Sequence, residues 1–457
     1  MNYSKKVYII GIGGISLSAL AVLLRDRGAS VKGSDLTDGE RVEALKRKGF
    51  EVVVGHSREF VSWADEIIIS SAVPENDEDL IFAKKLGKKI ITRAEALGDL
   101  SKIYKTISVS GCHGKTTTTG MIASVMLGLE KKPSIHIGGL MVQIHDNVYE
   151  GNSKYFVTEA CEYKDSFLKL TSEVGVILNI KPDHLDYFKN FNNVKKSFYN
   201  FAQNIKSGGT LIVNGDDLSC KELLDSFVGK CKLVTFGMGD GCVFKATDVE
   251  EYSTGKYRFS CETKNGRLVI NLPVYGFHNI YNALATVATC ISVGVSVKEI
   301  KRGIESFKGI SRRFEKVYDN GNKIVIHDYA HHPDEIKAAI EAGRKLKKEK
   351  LIVVFQPHTF SRTRDFFNGF CESLSLADEM WLLPIYPARE KPIKNVSSYK
   401  IYRKLKENGK KTRYFANFSS VYDEIRLIKD NCLVLILGAG DIESLARMIE
   451  KKWWEKI

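Results

Sequence analysis

The stretch SGCHGKTT at residues 110–117 directly follows the short run ISV at 107–109, and this order predicts a strand, a phosphate-binding loop and a helix. Two glycines allow backbone N–H groups to turn toward bound phosphates, while Lys115 supplies a mobile positive charge. The hydroxyl of Thr116 is placed to ligate Mg²⁺. The pattern therefore predicts an α/β fold with an ATP site. Its loop residues are Gly111, Cys112, His113, Gly114, Lys115, Thr116 and Thr117.

The loop departs from the common spacing GxxxxGK[ST] at its first position. The residue six places before the lysine is Val109 here, and Gly111 lies nearer instead. An ordinary glycine-rich turn between a strand and a helix is the competing interpretation. The flanking strand and helix favour the nucleotide site.

Length and composition indicate a multidomain globular protein. The chain has 457 residues, which suggests about three domains, and its 44% hydrophobic and 27% charged residues are typical of soluble proteins. The formal charge of +13 is spread along the chain, so an acidic substrate explains it and no nucleic-acid partner is expected. Nine scattered cysteines without a CxxC pair argue against a disulfide framework or a structural zinc site and favour a reducing cytoplasm.

The stretch 7–24 resembles a secretory signal in its hydrophobicity. Glycines at positions 11, 13 and 14 interrupt it, and a second strand-like segment follows near Val31. We therefore interpret it as the start of a βαβ unit. No other stretch approaches the ~20 apolar residues of a membrane span, so membrane insertion is not expected.

The first hundred residues alternate strand-like and helix-like segments, which predicts an open, mainly parallel sheet. The first turn, GIGGIS at 11–16, carries Ser16 where the dinucleotide fingerprint GxGxxG has its last glycine. Asp35 ends the second strand, where an acidic residue often contacts a ribose. The turn suits a pyrophosphate at a helix N-terminus. An NAD-dependent dehydrogenase is the competing hypothesis, and it rests on this turn alone.

Two later strands end in polar clusters. The first cluster is EACE at 159–162; the second is NIKPDHLD at 179–186, after a strand predicted to reach Ile180. Ligands collect at the carboxyl ends of strands in open α/β sheets, so these side chains are expected to converge on the phosphate loop. Oxygen and imidazole ligands suit Mg²⁺ or Mn²⁺. The predicted metal-site residues are Thr116, Glu162 and His184. Helix capping by Glu162 and Asp183 is the alternative.

Residues 237–271 are rich in Thr, Tyr and Gly in strand-like order, which predicts antiparallel hairpins inside the second unit. The next segment, GFHNIYNALA at 276–285, enters a helix with polar residues at three- and four-residue spacing. Amides on this face are candidates to read an adenine edge, and helix capping is the alternative. The face consists of His278, Asn279 and Asn282.

A third α/β unit begins near Ile310. Its strands lead into HDYAHHP at 327–333 and QPHTFSRTR at 356–364, so each again ends in polar residue types. Adjacent His331 and His332 lack a third ligand at the usual spacing, so zinc is not expected there.

Together these features favour an ATP-driven condensation. A carboxylate is a poor electrophile, and transfer of the γ-phosphoryl group to it gives an acyl phosphate that an amine attacks. Such a reaction needs Mg²⁺, cationic side chains, a base for the incoming ammonium and walls that exclude water. A noncatalytic, ATP-gated binding protein is a further hypothesis.

The chain resembles the Mur ligase family through motifs spread over nearly its full length. These motifs are GIGGIS at 11–16, the loop 111–117, EACE at 159–162, DH at 183–184, GFHN at 276–279, RRF at 312–314, DYAHHP at 328–333 and PARE at 387–390. Their order is far more specific than any single motif. The resemblance implies a Rossmann-like domain at 1–102, a central P-loop ATPase-like α/β domain with an antiparallel excursion at 103–309, and a C-terminal Rossmann-like domain at 310–457.

The resemblance also implies a role for each matching residue. ATP is expected to meet the phosphate loop, Arg313 and Asp328, with His278, Asn279 and Asn282 at its adenine end. The sugar-nucleotide and substrate residues implied are Gly13, Gly14, Ile15, Ser16, Asp35, Ser71, His113 and Arg362. The implied catalytic residues are Lys115, His184, His331 and Arg362, with His358 as a further neighbour of the amino acid.

The activity implied by this resemblance is the ATP-dependent joining of L-alanine to the lactoyl carboxylate of UDP-N-acetylmuramate in peptidoglycan synthesis. The alternative within the family is a recycling ligase that attaches a ready-made tripeptide to the same sugar nucleotide. ATP and Mg²⁺ (or Mn²⁺) are the implied cofactors, and a monomer or weak homodimer is expected. Hinges are expected near Leu100 and Gly309, so that the domains close on their ligands.

The chain departs from many members of the family beside the predicted metal site. Cys161 stands where an acidic residue is common, and Tyr163-Lys164 stand where Ser-Asp is common. These departures favour Glu162 as the metal ligand. Cys112, inside the phosphate loop, is either a small loop filler or an oxidation-sensitive thiol.

Overall fold

The structure is a computed structural model that describes residues 5–70, 72–263, 266–388 and 390–454. The chain divides into two compact units. The first comprises Met1–Glu250, Arg258–Val274 and His278–Gly309, and the second comprises Glu251–Tyr257, Tyr275–Phe277 and Ile310–Ile457. Two of the three sheets in the described residues lie mainly in the first unit, and the third lies in the second unit.

The first sheet has five parallel strands among the described residues, in the order β3-β2-β1-β4-β5. They are β1 Lys6–Ile10, β2 Ser30–Asp35, β3 Glu51–Val54, β4 Glu66–Ile69 and β5 Lys89–Thr92. The helices are α1 Ile15–Asp26, α2 Glu40–Arg47, α3 Arg58–Trp63, α4 Glu78–Lys85 and α5 Arg93–Ile103. Strand order reverses beside β1, so the glycine turn that follows it lies where such sheets bind ligands.

Helix α1 is apolar on nearly every side, and every residue from Leu17 to Leu24 is buried. It packs near β2 of its own sheet and against β7 and β8 of the second sheet. A helix enclosed in this way has no need of a polar face. The same packing places the start of α1 beside the second sheet.

The second sheet has ten strands in the described residues, in the order β15-β14-β13-β12-β11-β10-β6-β9-β7-β8. They are β6 Lys105–Ser110, β7 Ser134–Met141, β8 Asp146–Tyr149, β9 Tyr155–Glu159, β10 Ser172–Ile177, β11 Ile205–Asn214, β12 Lys232–Gly237, β13 Phe244–Ser253, β14 Lys256–Thr263 and β15 Gly266–Asn271. The helices are α6 Lys115–Leu127, α7 Leu185–Phe188, α8 Phe191–Gln203, α9 Leu218–Ser226, α10 His278–Ser292 and α11 Val297–Glu305, with a 3₁₀ helix at Tyr163–Lys169. β6 lies between β9 and β10 and is parallel to both, so the loops after these three strands meet at one edge.

The third sheet has six strands in the described residues, in the order β16-β17-β21-β18-β19-β20. They are β16 Glu315–Asp319, β17 Lys323–Asp328, β18 Lys350–Phe355, β19 Glu379–Leu382, β20 Thr412–Tyr414 and β21 Cys432–Leu437. The helices are α12 Pro333–Arg344, α13 Phe360–Asp365, α14 Phe367–Leu374, α15 Ser398–Glu407, α16 Phe418–Leu427 and α17 Glu443–Trp454. Only β16 is antiparallel to its neighbour in this part of the chain, and β21 is buried throughout.

The three sheets confirm the predicted α/β class, and the β14–β15 hairpin confirms the antiparallel excursion. The prediction that the strand reaches Ile180 was wrong, because β10 ends at Ile177 and the chain then turns toward the phosphate loop. The expected hinge near Leu100 falls inside α5, where Leu100 is fully buried, which argues against a hinge at that residue. The boundaries at 102/103 and 309/310 stay predictions. Among the described helices, none has both the length and the apolar character that crossing a bilayer demands.

Candidate active site

The phosphate loop joins β6 to α6 and requires glycine at two positions. Gly111 has φ +136° and Gly114 has φ +86°, a region that L side chains rarely adopt. A Cβ on Gly111 would lie 2.9 Å from Leu178 Cβ, and one on Gly114 would lie 2.7 Å from Asn282 Oδ1. Gly111 therefore provides the tight turn even though the earlier position holds Val109.

Asn179 holds the loop from the neighbouring strand, a role that was not predicted from the sequence. Its Oδ1 accepts a hydrogen bond from His113 N at 2.9 Å, and its Nδ2 donates to His113 O at 3.0 Å. Its backbone oxygen also accepts from Cys112 N at 3.3 Å. The position of Asn179 just after a parallel strand was the available signal.

Lys115 forms a buried ion pair with Glu162. Its Nζ lies 3.0 Å from Oε2 and 3.1 Å from Oε1 of Glu162, and it donates to the carbonyl oxygens of Gly111 and Cys112 at 2.5 and 3.1 Å. The Glu162 side chain is 1% exposed and that of Lys115 is 16% exposed. Burial alone would lower the pKa of Lys115, but the adjacent carboxylate raises it well above its ordinary value. Lys115 therefore holds a positive charge at the base of the loop.

Glu162, Asp183 and His184 form a cluster that suits a hard divalent cation. One ligand atom from each residue lies within 4.8 Å of the others. His184 Nε2 is 3.9 Å from Glu162 Oε1 and 3.8 Å from Asp183 Oδ2. Glu162 Oε2 is buried and, within the described part of the chain, lacks a hydrogen-bond partner of good geometry apart from its ion pair. Two carboxylates and one imidazole fit Mg²⁺ or Mn²⁺.

Two of the three predicted metal residues belong to this cluster. Glu162 and His184 belong to the cluster, whereas Thr116 is the buried second residue of α6 and its coordination of metal stays a prediction. The alternative of helix capping by Asp183 is not what the structure shows, because His184 is the N-cap of α7 and Asp183 joins the cluster. Glu162 does occupy the N-cap position of the 3₁₀ helix, but its side chain makes no cap hydrogen bond.

Tyr163, which stands where serine is common in the family, packs against His184 of the metal cluster. His184 has φ +53° and ψ 39°, and its ring packs against Tyr163 with ring centroids 4.8 Å apart. Tyr163 also contacts Tyr187, whose Oη donates to Asp165 Oδ2 at 2.7 Å. These contacts hold the left-handed His184 turn beside Glu162.

Cys112 has the character of a loop filler rather than of a reactive thiol. Its Sγ donates to Lys181 O at 3.3 Å. Burial, together with the nearby Glu162 carboxylate, raises the pKa of Cys112 to about 12. A thiol that stays protonated at neutral pH is a poor nucleophile, so the oxidation-sensitive alternative is not favoured.

The polar face of α10 is divided between the surface and the interior. His278 is exposed, whereas Asn279 and Asn282 are buried. Asn282 Nδ2 donates to Asn279 Oδ1 at 2.8 Å, and Asn282 Oδ1 accepts from Thr118 Oγ1 at 3.1 Å. Asn282 thus joins α10 to the helix that follows the phosphate loop. The contact of this face with adenine stays a prediction.

Asp216 organises a loop beside α10 and was not singled out from the sequence. It accepts hydrogen bonds from Met238 N at 2.6 Å, Gly239 N at 2.9 Å and Tyr281 Oη at 3.0 Å. Burial, with the Asp216 hydrogen bond, raises the pKa of Tyr281 to about 12. Asp216 follows β11, so its position after a strand of this sheet was again the available signal.

The glycine turn after β1 is hydrogen-bonded to the side chain of Asp35. Gly13 N donates to Asp35 Oδ2 at 3.0 Å, and a Cβ on Gly13 would lie 2.9 Å from the same oxygen. Gly14 is the N-cap of α1, and Ile15 and Ser16 are its first two residues. Asp35 therefore shapes the turn itself, and its contact with a nucleoside stays a prediction.

Ser16 contacts two residues that were not predicted. Its Oγ lies 2.9 Å from His136 Nε2 and accepts from Arg93 Nη1 at 3.1 Å. Burial, with Arg93 nearby, lowers the pKa of His136 to about 3. Neither Arg93 nor His136 belongs to a motif that would have identified it. Ser71, predicted beside the uridine, lies outside the described residues.

The second unit gathers three of the predicted residues after β17 and β18. The rings of His331 and His358 have centroids 5.9 Å apart, and Arg362 Nη1 donates to His358 Nδ1 at 3.2 Å. His331 Nδ1 lies 2.9 Å from Tyr329 O, so Nδ1 carries the proton and Nε2 keeps its lone pair. Burial lowers the pKa of His331. Burial, together with the neighbouring His331 and Arg362, lowers the pKa of His358 to about 4.

Asp328 and Arg313 both lie near Tyr329 in the second unit. Asp328 accepts from Phe314 N at 2.7 Å and from Ala330 N at 2.8 Å. Burial raises the pKa of Asp328 to about 6. The guanidinium of Arg313 lies 5.2 Å from the centroid of the Tyr329 ring. The contacts of both residues with ATP stay predictions.

Three family models match successive parts of the chain. The Mur ligase family, catalytic domain, matches residues 6–105, the Mur ligase middle domain matches 109–290, and the Mur ligase, glutamate ligase domain, matches 312–440. Together these matches span the three sheets.

Curated relatives match over nearly the whole chain. A UDP-N-acetylmuramate–L-alanine ligase of Caldicellulosiruptor bescii is 39% identical over 451 residues, which cover 98% of each chain. The ligase of the same name from Clostridium acetobutylicum is 40% identical over 455 residues, covering 99% of this chain and 98% of the relative.

Solved structures are similar over the same extent. The UDP-N-acetylmuramate–alanine ligase of Thermotoga maritima has a TM-score of 0.82 at 28% identity, covering 99% of this chain and 100% of that one. A murein peptide ligase of Psychrobacter arcticus has a TM-score of 0.73 at 20% identity, covering 98% of each chain, and shows the shared fold alone. On the family models and the full-length relatives, the chain belongs to the Mur ligase family.

Proposed function

We propose that this chain joins L-alanine to the lactoyl carboxylate of UDP-N-acetylmuramate and converts ATP to ADP and phosphate. The observation that carries this proposal is the sequence identity to two ligases named for these substrates, which is 39% and 40% over nearly the full chain. The fold of the alanine ligase from Thermotoga maritima, at 28% identity, supports the same assignment.

The reaction consists of two transfers. In the first, a carboxylate oxygen attacks the γ-phosphorus of ATP, ADP leaves and an acyl phosphate forms. In the second, the alanine amine attacks the carbonyl carbon, gives up a proton to a base, and phosphate leaves with the former carboxylate oxygen. Mg²⁺, when bound, neutralises negative charge on the phosphates.

The phosphate loop and the acidic cluster serve the first transfer. Lys115, charged and held at the base of the loop, interacts with the terminal phosphates. Glu162, Asp183 and His184 are the candidate cation ligands, with the hydroxyl of Thr116 as a further one. Backbone N–H groups from Gly111 to Thr117 line the phosphates.

His331 serves the second transfer. Its neutral imidazole has a free lone pair on Nε2, because Nδ1 donates to Tyr329 O. Such a nitrogen is suited to accept the proton that the alanine ammonium loses as its amine becomes the nucleophile. Arg362, beside His358, supplies positive charge for the carboxylate of alanine or for the acyl phosphate.

The remaining predicted residues divide between the two nucleotides. The sugar nucleotide is assigned to Gly13, Gly14, Ile15, Ser16, Asp35 and Ser71, with His113 near its reacting end. ATP is assigned to the loop, to Arg313 and Asp328, and at its adenine end to His278, Asn279 and Asn282. Arg313, Asp328, His331 and Arg362 lie in the second unit, so their approach to the loop is part of the proposal. A monomer or weak homodimer stays the expected state.

The test supplies the protein with ATP, Mg²⁺ and UDP-N-acetylmuramate, together with alanine, serine, glycine or a tripeptide, and weighs the products. We expect the amide of alanine, with one ADP formed per amide. A product with the tripeptide alone would assign the recycling reaction instead. Folded protein that binds ATP but forms no amide with any of these amines would refute the ligase activity.

A further inference from the structure

A chain of hydrogen bonds runs from the glycine turn of the first sheet into the second sheet. Arg93, the first residue of α5, donates through Nη1 to Ser16 Oγ at 3.1 Å. Ser16 Oγ lies 2.9 Å from His136 Nε2, and His136 Nδ1 lies 3.0 Å from Thr158 Oγ1. His136 and Thr158 are directly paired on β7 and β9. The chain thus joins the first and second sheets through side chains 120 positions apart in sequence.

The following arrangement of protons satisfies every member of this chain. The arginine can only donate, so Ser16 Oγ accepts from it, and its remaining proton is available to donate to His136 Nε2. His136 Nδ1–H then donates to Thr158 Oγ1, which donates to Glu159 O at 3.2 Å. The arrangement requires a neutral imidazole. Burial of His136, which is 4% exposed, and the charge of Arg93 both keep it neutral by lowering its pKa to about 3.

The second sheet also fixes the backbone of the same turn. Asn147, which is 3% exposed, donates from Nδ2 to Ile15 O at 2.8 Å and to Ile137 O at 3.2 Å. Two neighbouring residues at the start of α1 are therefore positioned by residues of the second sheet. The first N–H groups of a twelve-residue helix such as α1 have no intrahelical acceptor and attract anions.

We propose that His136 is a positioning residue of the sugar-nucleotide site, which orients Ser16 and, through it, the Arg93 guanidinium toward the diphosphate of the bound nucleotide sugar. This role rests on the proposed function, because it assumes that the glycine turn binds that diphosphate. It also explains why Ser16 stands where the dinucleotide fingerprint has glycine. The hydroxyl links Arg93 to His136, which glycine has no side chain to do.

The test measures the binding of UDP and of UDP-N-acetylmuramate by titration calorimetry, with and without a nonhydrolysable ATP analogue. His136→Val removes both hydrogen bonds, and we expect it to weaken binding of either ligand by about 3- to 10-fold, the range of one neutral hydrogen bond. His136→Gln retains an amide that reaches Ser16 and should bind within about 3-fold of wild type. In turnover, His136→Val should raise the KM for UDP-N-acetylmuramate with little change in kcat or in the KM for ATP.

The coupling to Ser16 is tested by a double-mutant cycle. Ser16→Ala combined with His136→Val should bind UDP no more weakly than the weaker of the two single variants, because both remove the same chain. Ile137→Val is the matched control on β7, since its side chain points to the opposite face of the sheet from His136. It should lower the melting temperature slightly and leave UDP affinity unchanged.

The outcomes separate this role from the proposed function. If the wild-type protein binds neither UDP nor UDP-N-acetylmuramate under any condition, the sugar-nucleotide site itself is refuted and the positioning role with it. If the wild-type protein binds but His136→Val binds equally well, or loses affinity for ATP and the sugar nucleotide alike, His136 is merely structural and the inference is overturned. Should His136→Val fail to fold, Thr158→Val removes the partner of His136 Nδ1 instead; it should weaken UDP binding, and unchanged UDP affinity in that variant would overturn the inference.

Discussion

At the scale of single residues, the buried pair of Lys115 and Glu162 sets the charge of the phosphate loop. The two side chains lie 3.0 Å apart, and the carboxylate is 1% exposed. Replacing one member of such a pair leaves the other charge buried without its partner. Activity and stability therefore depend on the same contact.

Lys115→Ala is expected to lower kcat by ~10² or more, because a cation aimed at developing negative charge is lost. The free energy of unfolding should fall by ~3 kcal/mol, because Glu162 stays buried and uncompensated. Steady-state kinetics and urea denaturation measure the two effects. Turnover close to that of the wild type would refute the role of Lys115.

Lys195→Ala is the matched control for the loss of a lysine. Its Nζ lies 2.6 Å from Glu222 Oε2, but the side chains are 30% and 60% exposed. Exposed pairs contribute little, so the free energy of unfolding should change by less than ~1 kcal/mol and kcat should not change. An effect as large as that of Lys115→Ala would show that loss of lysine charge alone explains both results.

One contribution to the pH dependence of stability comes from His327, which is fully buried on β17 near Arg312 and Arg447. Burial, with both arginines, lowers its pKa to about 3, whereas the unfolded value is about 6.5. The unfolded chain therefore binds more protons than the folded protein between these values, and stability falls as the pH drops below about 6.5. At pH 5.5 this residue alone should cost ~1 kcal/mol relative to pH 7.5.

His327→Leu is expected to remove that share of the acid sensitivity. Denaturation of both proteins at pH 7.5 and pH 5.5 measures it. The variant should lose less stability between the two pH values than the wild type by ~1 kcal/mol. Equal losses in the two proteins would show that His327 is not responsible.

At the scale of elements, the site is built from the loops after parallel strands. β6, β9 and β10 are neighbours, so the residues that follow them meet regardless of their distance in sequence. This rule is why the convergence of Glu162 and His184 on the phosphate loop was predictable from short motifs. The polar residues stand where each apolar run ends, and the sheet brings those ends together.

Gly114→Ala tests the turn into α6. Gly114 has φ +86°, and its new Cβ would lie 2.7 Å from Asn282 Oδ1. We expect ATP binding to weaken at least 10-fold, because the loop must shift away from α10 to relieve both the strain and the contact. Titration with an ATP analogue gives the affinity.

Gly294→Ala is the control with nearly the same backbone. Gly294 has φ +87°, but nothing lies within 4 Å of the added Cβ. It should lose ~1 kcal/mol of stability from strain alone and bind ATP normally. If both variants bind ATP equally well, the contact with Asn282 does not shape the loop.

Contacts between elements that carry no motif could not be predicted from the sequence. His136 lies in an ordinary apolar strand, and only the packing of α1 against β7 brings it to Ser16. Asn179 and Asp216 closely follow strands, so their positions were visible in the sequence. Most of their partners, however, are backbone groups that a sequence does not locate. The capping alternative for Asp183 could not be decided from the sequence, because it depends on where α7 begins. The helix begins one residue later than capping by Asp183 would require.

At the scale of the whole molecule, the residues predicted to act in one reaction belong to two compact units. Lys115 and Glu162 lie in the first, and His331 and Arg362 lie in the second. A condensation that excludes water requires the two sets to meet around the substrates. We therefore expect a conformational step in the catalytic cycle.

The hinge for that step is predicted at Gly309, the last residue of the first unit, which has φ +92° and no atom within 4 Å of an added Cβ. Small-angle scattering should show a smaller radius of gyration with UDP-N-acetylmuramate and a nonhydrolysable ATP analogue than without ligands. Proline cannot adopt φ +92°, so Gly309→Pro forces a different backbone at this position and should reduce that change and lower kcat. An unchanged radius of gyration in the wild-type protein would refute closure.

The acyl phosphate is the central chemical claim, and isotope transfer tests it most directly. UDP-N-acetylmuramate carrying ¹⁸O in both oxygens of its lactoyl carboxylate is converted with ATP and alanine, and the released phosphate is weighed. Because the phosphate leaves with a former carboxylate oxygen, we predict one ¹⁸O in each phosphate formed and one retained in each amide. Amide formation accompanied by unlabelled phosphate would contradict the mechanism.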